Sequence, residues 1–214
     1  MTAVTLSRVH FPVTTLGPGR RIGVWLQGCS IGCAGCISPD TWDPTLGGTT
    51  VAEVTARLAS WAPQADGLTV SGGEPFDQAD ALAELLAAWR RMSSGDVLVF
   101  TGYIFERLSG WLEAHPGLID ALVAGPFERH AAQTLALRGS DNQTLHLLTA
   151  AGRDRFAGFE RPSTAADRRL DVMFDADGGA WFAGIPARGD FDRLRQALRA
   201  AGHHLTLTER TVRP

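Results

Sequence analysis

All three cysteines of this 214-residue chain fall within eight positions, in the stretch LQGCSIGCAGCIS from Leu26 to Ser38. Cys29, Cys33 and Cys36 stand in the spacing C-x3-C-x2-C, with Gly28, Gly32 and Gly35 before and between them. A loop that turns three side chains toward one small object needs tight curvature, and glycine reaches the positive-φ backbone that curvature demands. Glycine also lets main-chain N–H groups approach sulfur, which tunes the potential of a cluster. The residues leave three readings open. Three unconnected buried cysteines is one, since cysteine is commonly buried, but a glycine-rich loop is not core spacing. Structural zinc is the second. It takes four ligands, the loop supplies three, and His10 and His115 are distant in sequence. A 4Fe–4S cluster with three protein-held irons is the third, and the missing ligand then leaves one position open for chemistry.

Composition narrows what such a loop can belong to. The chain is 44% hydrophobic and 20% charged, with a formal charge of −3. At about 150 residues per domain this suits one domain with an appendage. The small negative charge gives no reason to expect nucleic acid or an anionic membrane as partner. All 20 basic residues are arginine, so Schiff-base and lysine-nucleophile chemistry are excluded, as is a P-loop. The opening MTAVTLSRVHFP has no apolar leader core, and an odd cysteine cluster does not suit a secreted disulfide framework. The expected location is a reducing cytoplasm, with no membrane-spanning segment.

Hydrophobic patterning supplies the scaffold. RIGVWLQG (Arg21–Gly28) reads as a buried strand that runs into the cysteine loop. TTVAEVTARLASWAP reads as a helix with Val51, Val54, Leu58 and Trp61 on one face. Thr50 and Glu53 form its capping box, and Pro63 closes it. GLTVSGGEP is a second strand; FDQADALAELLAAWRRM is a helix with a stripe of Leu82, Leu85, Leu86 and Trp89. DVLVFTGY, IFERLSGWLEAH and LIDALVAGPF continue as strand, helix, strand. Alternating strands and helices predict an α/β fold on a parallel sheet. Residues 150–169 are polar and arginine-rich and read as a loop or linker. LDVMFDADGGAWFAGI reads as a hairpin about Asp177-Gly178-Gly179. GDFDRLRQALRAAGHH reads as a helix with Asp190 as N-cap and Gly202 ending it. The expected division is a core domain over 1–149 and a linker with a ββα extension over 150–214, packed on the core.

A second motif lies one β-α unit after the cysteines: TVSGGEPFDQ, Thr69–Gln78. On its own it could be a strand-to-helix turn with Glu74 in solvent and Pro75 opening the helix. Beside C-x3-C-x2-C it resembles the amino-group clamp of the radical S-adenosylmethionine (SAM) superfamily. GPGRRIGVWLQGCSIGCAGCISPDTWDP (Gly17–Pro44), VFTGYIFERL, DALVAGPFE and LRGSDNQTL together resemble that superfamily's glycyl-radical-enzyme activases, the anaerobic ribonucleotide reductase activators most closely. Gly35, before the third cysteine, matches those activators. The likeness covers about Val9 to Leu148.

The resemblance implies the following. The fold is a partial (β/α) barrel of radical SAM type. Cys29, Cys33 and Cys36 ligate a 4Fe–4S cluster, and SAM chelates the fourth iron. One-electron reduction cleaves SAM to a 5′-deoxyadenosyl radical that abstracts a hydrogen atom. Gly35 and Ile37 lie against the adenosyl part, Gly72, Gly73 and Glu74 hold the amino group, and Thr101 and Gly102 form a wall at a strand end. Trp42 shields the cluster or simply packs. Arg138, Ser140, Asn142 and Gln143 form either a solvated turn or a site for a partner's glycine loop or the SAM carboxylate. His203-His204 reads as surface. The implied partners are a glycyl radical enzyme and an electron donor such as flavodoxin or ferredoxin. Two other functions use the same residues: radical SAM chemistry on a small metabolite or peptide, and a non-catalytic cluster module, for which the Glu74 clamp would have no use.

Overall fold

The computed structural model describes residues 1–174 and 179–203. Strand β1 (Ala3–Val13) leads antiparallel into β2 (Arg21–Leu26), which is buried along its whole length. The cysteine loop follows, then a short edge strand β3 (Gly48–Thr50) and helix α1 (Val51–Trp61). The expected capping box forms: Glu53 N–H donates to Thr50 Oγ1 at 3.3 Å, and Thr50 N–H donates to Glu53 Oε2 at 3.0 Å. Strand β4 (Gly67–Gly72), helix α2 (Ala79–Met92), β5 (Asp96–Thr101), α3 (Phe105–Ala114) and β6 (Ala121–Ala124) complete the alternation.

Seven strands form one mixed sheet in the order β3-β1-β2-β4-β5-β6-β7, where β7 is Thr144–Leu147. β2, β4, β5 and β6 are parallel neighbours, and β1 and β7 run antiparallel on either side of them. The four parallel strands are those the alternation predicts; β1, β3 and β7 add to them. The stripes of α1 and α2 bury Val51, Val54, Leu58, Leu82, Leu85, Leu86 and Trp89 against one face of this sheet.

Residues 150–169 differ from the expected loop. Helix α4 (Ala150–Phe156) and short 3-10 turns occupy the segment. Phe156 is fully buried on the other face of the sheet with Leu98, Ala121 and Val123. Gly152 weakens the helical pattern, but a Cβ there would lie 2.0 Å from Asp120 O. The glycine is the condition for α4 to approach β6, so helix propensity gives way to packing. Arg21, also fully buried, pairs with Asp96 at 2.6 Å across the N-terminal ends of β2 and β5, and Arg155 of α4 reaches the same carboxylate at 3.0 Å. Removing one partner of such a buried pair typically costs about 3–5 kcal/mol.

Beyond α4, β8 (Leu170–Phe174) pairs antiparallel with β9 (Ala180–Gly184), and α5 (Asp190–Ala200) follows. Asp177 and Gly178 of the expected turn lie outside the described residues, as does His204. Gly189, at φ 81°, is the N-cap of α5 in place of Asp190. Asp190 instead accepts from Ala187 N–H at 2.6 Å, in the turn that precedes the helix. Among the described residues no helix is long and apolar enough to cross a membrane.

Candidate iron–sulfur site

The cysteine loop leaves β2 at its C-terminal end, where parallel α/β sheets place their ligand sites. Its base is fixed by main-chain bonds: Gly28 N–H donates to Thr41 O at 2.7 Å and Cys29 N–H to Trp42 O at 3.1 Å. Gln27 spans the base and donates to Asp40 O and Asp43 O, both at 3.0 Å. Gly28, Gly32 and Gly35 have φ of 97°, 59° and 79°, so the curvature expected of the loop is present at all three.

The Gly-Gly-Glu turn at the end of β4 lies directly against this loop. Gly73 N–H donates to Leu26 O and Glu74 N–H to Gly28 O, both at 2.8 Å. A Cβ on Gly73 would lie 2.0 Å from Gly28 O, and one on Gly72 2.4 Å from Leu26 O. The family resemblance implies that these glycines hold the amino group of a ligand. Their tightest contacts are in fact with the chain's own backbone, where β4 meets the cysteine loop.

Glu74 is 1% exposed, so it is not a turn residue in solvent. Its Oε1 accepts from Phe76 N–H at 3.0 Å and from Thr101 Oγ1 at 2.8 Å; Oε2 accepts from Gly102 N–H at 2.8 Å. Three of about four acceptor sites of the carboxylate are used, and the free one is on Oε2. Burial raises its pKa to about 6 against those three stabilising bonds. Glu74 thus ties the end of β4 to the end of β5. Gly102 also faces the cysteine loop: a Cβ there would meet the tip of the Ile31 side chain, Cδ1, at 2.6 Å.

A cavity of about 800 Å³ gathers these parts. Cys29, Cys33, Cys36, Gly35 and Ile37 line it from the loop; Gly72, Gly73, Glu74, Thr101 and Gly102 line it from β4 and β5. Burial pushes the Cys33 and Cys36 thiols up, so ionisation there calls for a compensating cation. Hydrogen bonds work the other way: the Phe127 main chain at Cys33, and Ser38 N–H and the Trp42 side chain at Cys36. Trp42 therefore reaches a cysteine sulfur in addition to packing. Among the described residues no three or more His, Cys, Asp or Glu side chains converge tightly enough for one metal ion. All three cysteines line the one cavity. Three thiols, three positive-φ glycines and N–H groups aimed at sulfur fit an iron–sulfur cluster.

The 138–143 segment divides. Arg138 is buried and pairs with Glu160, Ser140 accepts from Glu128 N–H, and Asn142 donates to Pro126 O. These three hold the connection between β6 and β7 and do not line the cavity. Gln143 does line it, while its amide holds Gly139, Ser140 and Gly125. His203 is exposed, as expected.

The extension expected to pack on the core supplies a wall of the cavity, with residues that no sequence motif singles out. Trp181, Phe182, Ile185 and Phe191, from β9 to α5, line the same cavity. Trp181 packs edge-on against Trp25 at 5.0 Å and His10 at 5.4 Å, and the Arg8 guanidinium lies 4.9 Å over its ring. Asp171 accepts from Thr14 N–H at 2.6 Å and from the hydroxyls of Thr14 and Thr15. The dense aromatic run AWF of β9 was the available signal, but a hairpin pattern does not say what it packs on.

A three-cysteine loop locked to a Gly-Gly-Glu turn at the ends of parallel strands marks an enzyme of the radical SAM activating class. Residues 15–146 match the 4Fe-4S single cluster domain family, and the chain belongs to it. It is 32% identical over 149 residues to the anaerobic ribonucleoside-triphosphate reductase-activating protein of Vibrio cholerae, covering 65% of this chain and 96% of that one. The protein of the same name from phage T4 is 32% identical over 134 residues, 60% of this chain and 85% of the relative. The pyruvate formate-lyase-activating enzyme of Listeria monocytogenes is 35% identical over 124 residues, covering 54% of this chain and 50% of that enzyme.

Proposed function

We propose that this chain activates a glycyl radical enzyme, most closely one of the anaerobic ribonucleoside-triphosphate reductase kind. The observation that carries the reading is the pair of 2.8 Å main-chain bonds that lock the cysteine loop to the Gly-Gly-Glu turn within one cavity. Cys29, Cys33 and Cys36 hold the 4Fe–4S cluster as thiolates. The free lone pair of Glu74 Oε2 and the carbonyls of Gly72 and Gly73 take the SAM ammonium, an interaction of opposite charges that also favours the ionised Glu74. Gly35 and Ile37 face the adenosyl part, and Thr101 and Gly102 close the β5 side. In this reading the parallel strands form the partial (β/α) barrel of the superfamily.

With both groups bound, and with a flavodoxin- or ferredoxin-like electron donor, the cluster and SAM would supply the one-electron chemistry for hydrogen-atom abstraction from the partner's glycine Cα. The chain's own contribution is to position the two groups and exclude water with Ile37, Trp42 and the aromatic wall. The test is to combine the reduced, reconstituted protein with SAM and the glycyl radical enzyme encoded in the same genome. A glycyl-radical doublet in the EPR spectrum is expected. SAM cleavage without the doublet would move the function to a second reading, radical SAM chemistry on a small metabolite or free peptide. One observation favours that second reading: β9 to α5 wall the cavity beyond the matched domain.

A further inference from the structure

We propose that Trp42 is a positioning residue for the cluster: its indole N–H donates to the sulfur of Cys36 and raises the potential at which the cluster is reduced. The inference rests on the proposed function only in taking Cys29, Cys33 and Cys36 as cluster ligands, and it is the same for either substrate reading.

The turn that carries Trp42 folds back on the base of the cysteine loop and is held there by main chain. Trp42 O accepts from Cys29 N–H at 3.1 Å, Thr41 O accepts from Gly28 N–H at 2.7 Å, and Trp42 N–H donates to Pro39 O at 3.2 Å. Gln27 donates to Asp40 O and Asp43 O, one on each side of the pair Thr41-Trp42. Thr41 is buried, and its hydroxyl donates to Ser38 O at 2.7 Å. None of these bonds uses a cysteine sulfur, so the ring's point of attachment does not depend on a bound group. From that point Trp42 lines the cavity together with Cys36. Indole has a single polar hydrogen, on Nε1, and no acceptor. The side-chain bond between Trp42 and Cys36 therefore has one direction: Trp42 donates and the sulfur accepts. Trp42 thus spans the loop, with its main chain on Cys29 and its side chain on Cys36.

The consequence follows from charge. Reduction adds an electron to a cluster that already carries thiolate charge, and a donor aimed at sulfur favours the more negative state. Cys36 also accepts from Ser38 N–H at 3.4 Å, and Cys33 meets the Phe127 main chain. Those donors belong to the backbone and survive a change of side chain. The Trp42 donor does not, so the amino acid at this position is a lever on the potential that substitution can move.

The test is an anaerobic redox titration of the reconstituted full chain without SAM, with the reduced cluster counted by EPR. Trp42→Phe keeps an aromatic ring and removes the N–H. At the wild-type midpoint this variant is expected to show about tenfold less reduced cluster relative to oxidised, a downward shift of about 59 mV for one electron, with iron and sulfide content unchanged. An unchanged or raised midpoint in the loaded variant overturns the proposal and leaves Trp42 a packing residue. Wild-type protein isotopically labelled at the indole nitrogen gives a second measurement that needs no variant. Pulsed EPR of its reduced cluster is expected to show nitrogen coupling, and a missing coupling overturns the proposal even where Trp42→Phe does not fold. A wild-type chain that loads no 4Fe–4S cluster sinks the cluster reading and this proposal with it. A lowered midpoint in Trp42→Phe, with no glycyl radical formed by the wild type, keeps the donor and sinks the activase reading alone.

Discussion

On one side of the cavity, the cysteine loop and the Gly-Gly-Glu turn are joined by main chain: Gly73 N–H to Leu26 O and Glu74 N–H to Gly28 O. On the other side, the β8–β9 hairpin is held by side chains, with Trp181 against Trp25, His10 and Arg8, and Asp171 on Thr14 and Thr15. Backbone joined to backbone at such short range admits glycine alone at Gly72 and Gly73, so that wall is written as a fixed motif. Side-chain packing accepts many solutions of similar volume, so the second wall carries no motif. The first wall lies in the matched domain and the second beyond it.

Breaking the first wall gives the largest effect. Cys33→Ser is expected to abolish cluster loading and SAM cleavage, read by iron and sulfide content and by visible absorption after reconstitution. Full iron content in that variant would remove the chemical basis for the wall. Gly73→Ala drives a Cβ into Gly28 O and is expected to cost about 3 kcal/mol in denaturant unfolding. Gly32→Ala meets nothing within 4 Å but keeps φ at 59°, so only its backbone strain remains, about 1 kcal/mol. Equal losses would show that crowding between the two motifs is not what demands glycine.

Glu74 sharpens the comparison through pH. Its folded pKa of about 6 lies above the usual 4.5, so burial disfavours the ionised form. The stability linked to it is complete below pH 4.5 and is lost as pH rises through 6, by about 2 kcal/mol in the cluster-free protein. Glu74→Gln should lack that fall in denaturant curves taken from pH 4 to 7. The second wall gives the smallest effect. Asp171→Ala is expected to cost about 1 kcal/mol and to speed limited proteolysis at the hairpin, with iron content unchanged. Loss of iron in that variant would show the two walls to be one cooperative unit.

The same contrast explains what could be read in advance. The cysteine spacing, the capping box at Thr50 and the stripes of α1 and α2 are local patterns, and each appears in the structure where the sequence puts it. That these four strands are parallel follows from their alternation with helices; their spatial order does not. β1 and β7 were not legible because one contains Pro12 and polar residues and the other spans four residues; both are strands by virtue of their neighbours in the sheet. α4 was hidden by Gly152 and its arginines, whose reasons are Asp120 O and Asp96, far off in sequence. Glu74 stands out in the sequence beside Gly72 and Gly73, but its hold on Thr101 and Gly102 depends on β4 and β5 being neighbours.

The register of β2 on β4, with Leu26 opposite Gly72, sets the offset between the cysteines and Glu74. A strand advances about 3.3 Å per residue, so a one-residue slip would carry one motif past the other by more than a hydrogen bond and turn its side chains to the opposite face. The sheet acts as a ruler with a single usable setting. Insertions or deletions between Leu26 and Cys29, or between Gly72 and Glu74, would break that setting, whereas the hairpin opposite, held by side-chain packing, has no such ruler.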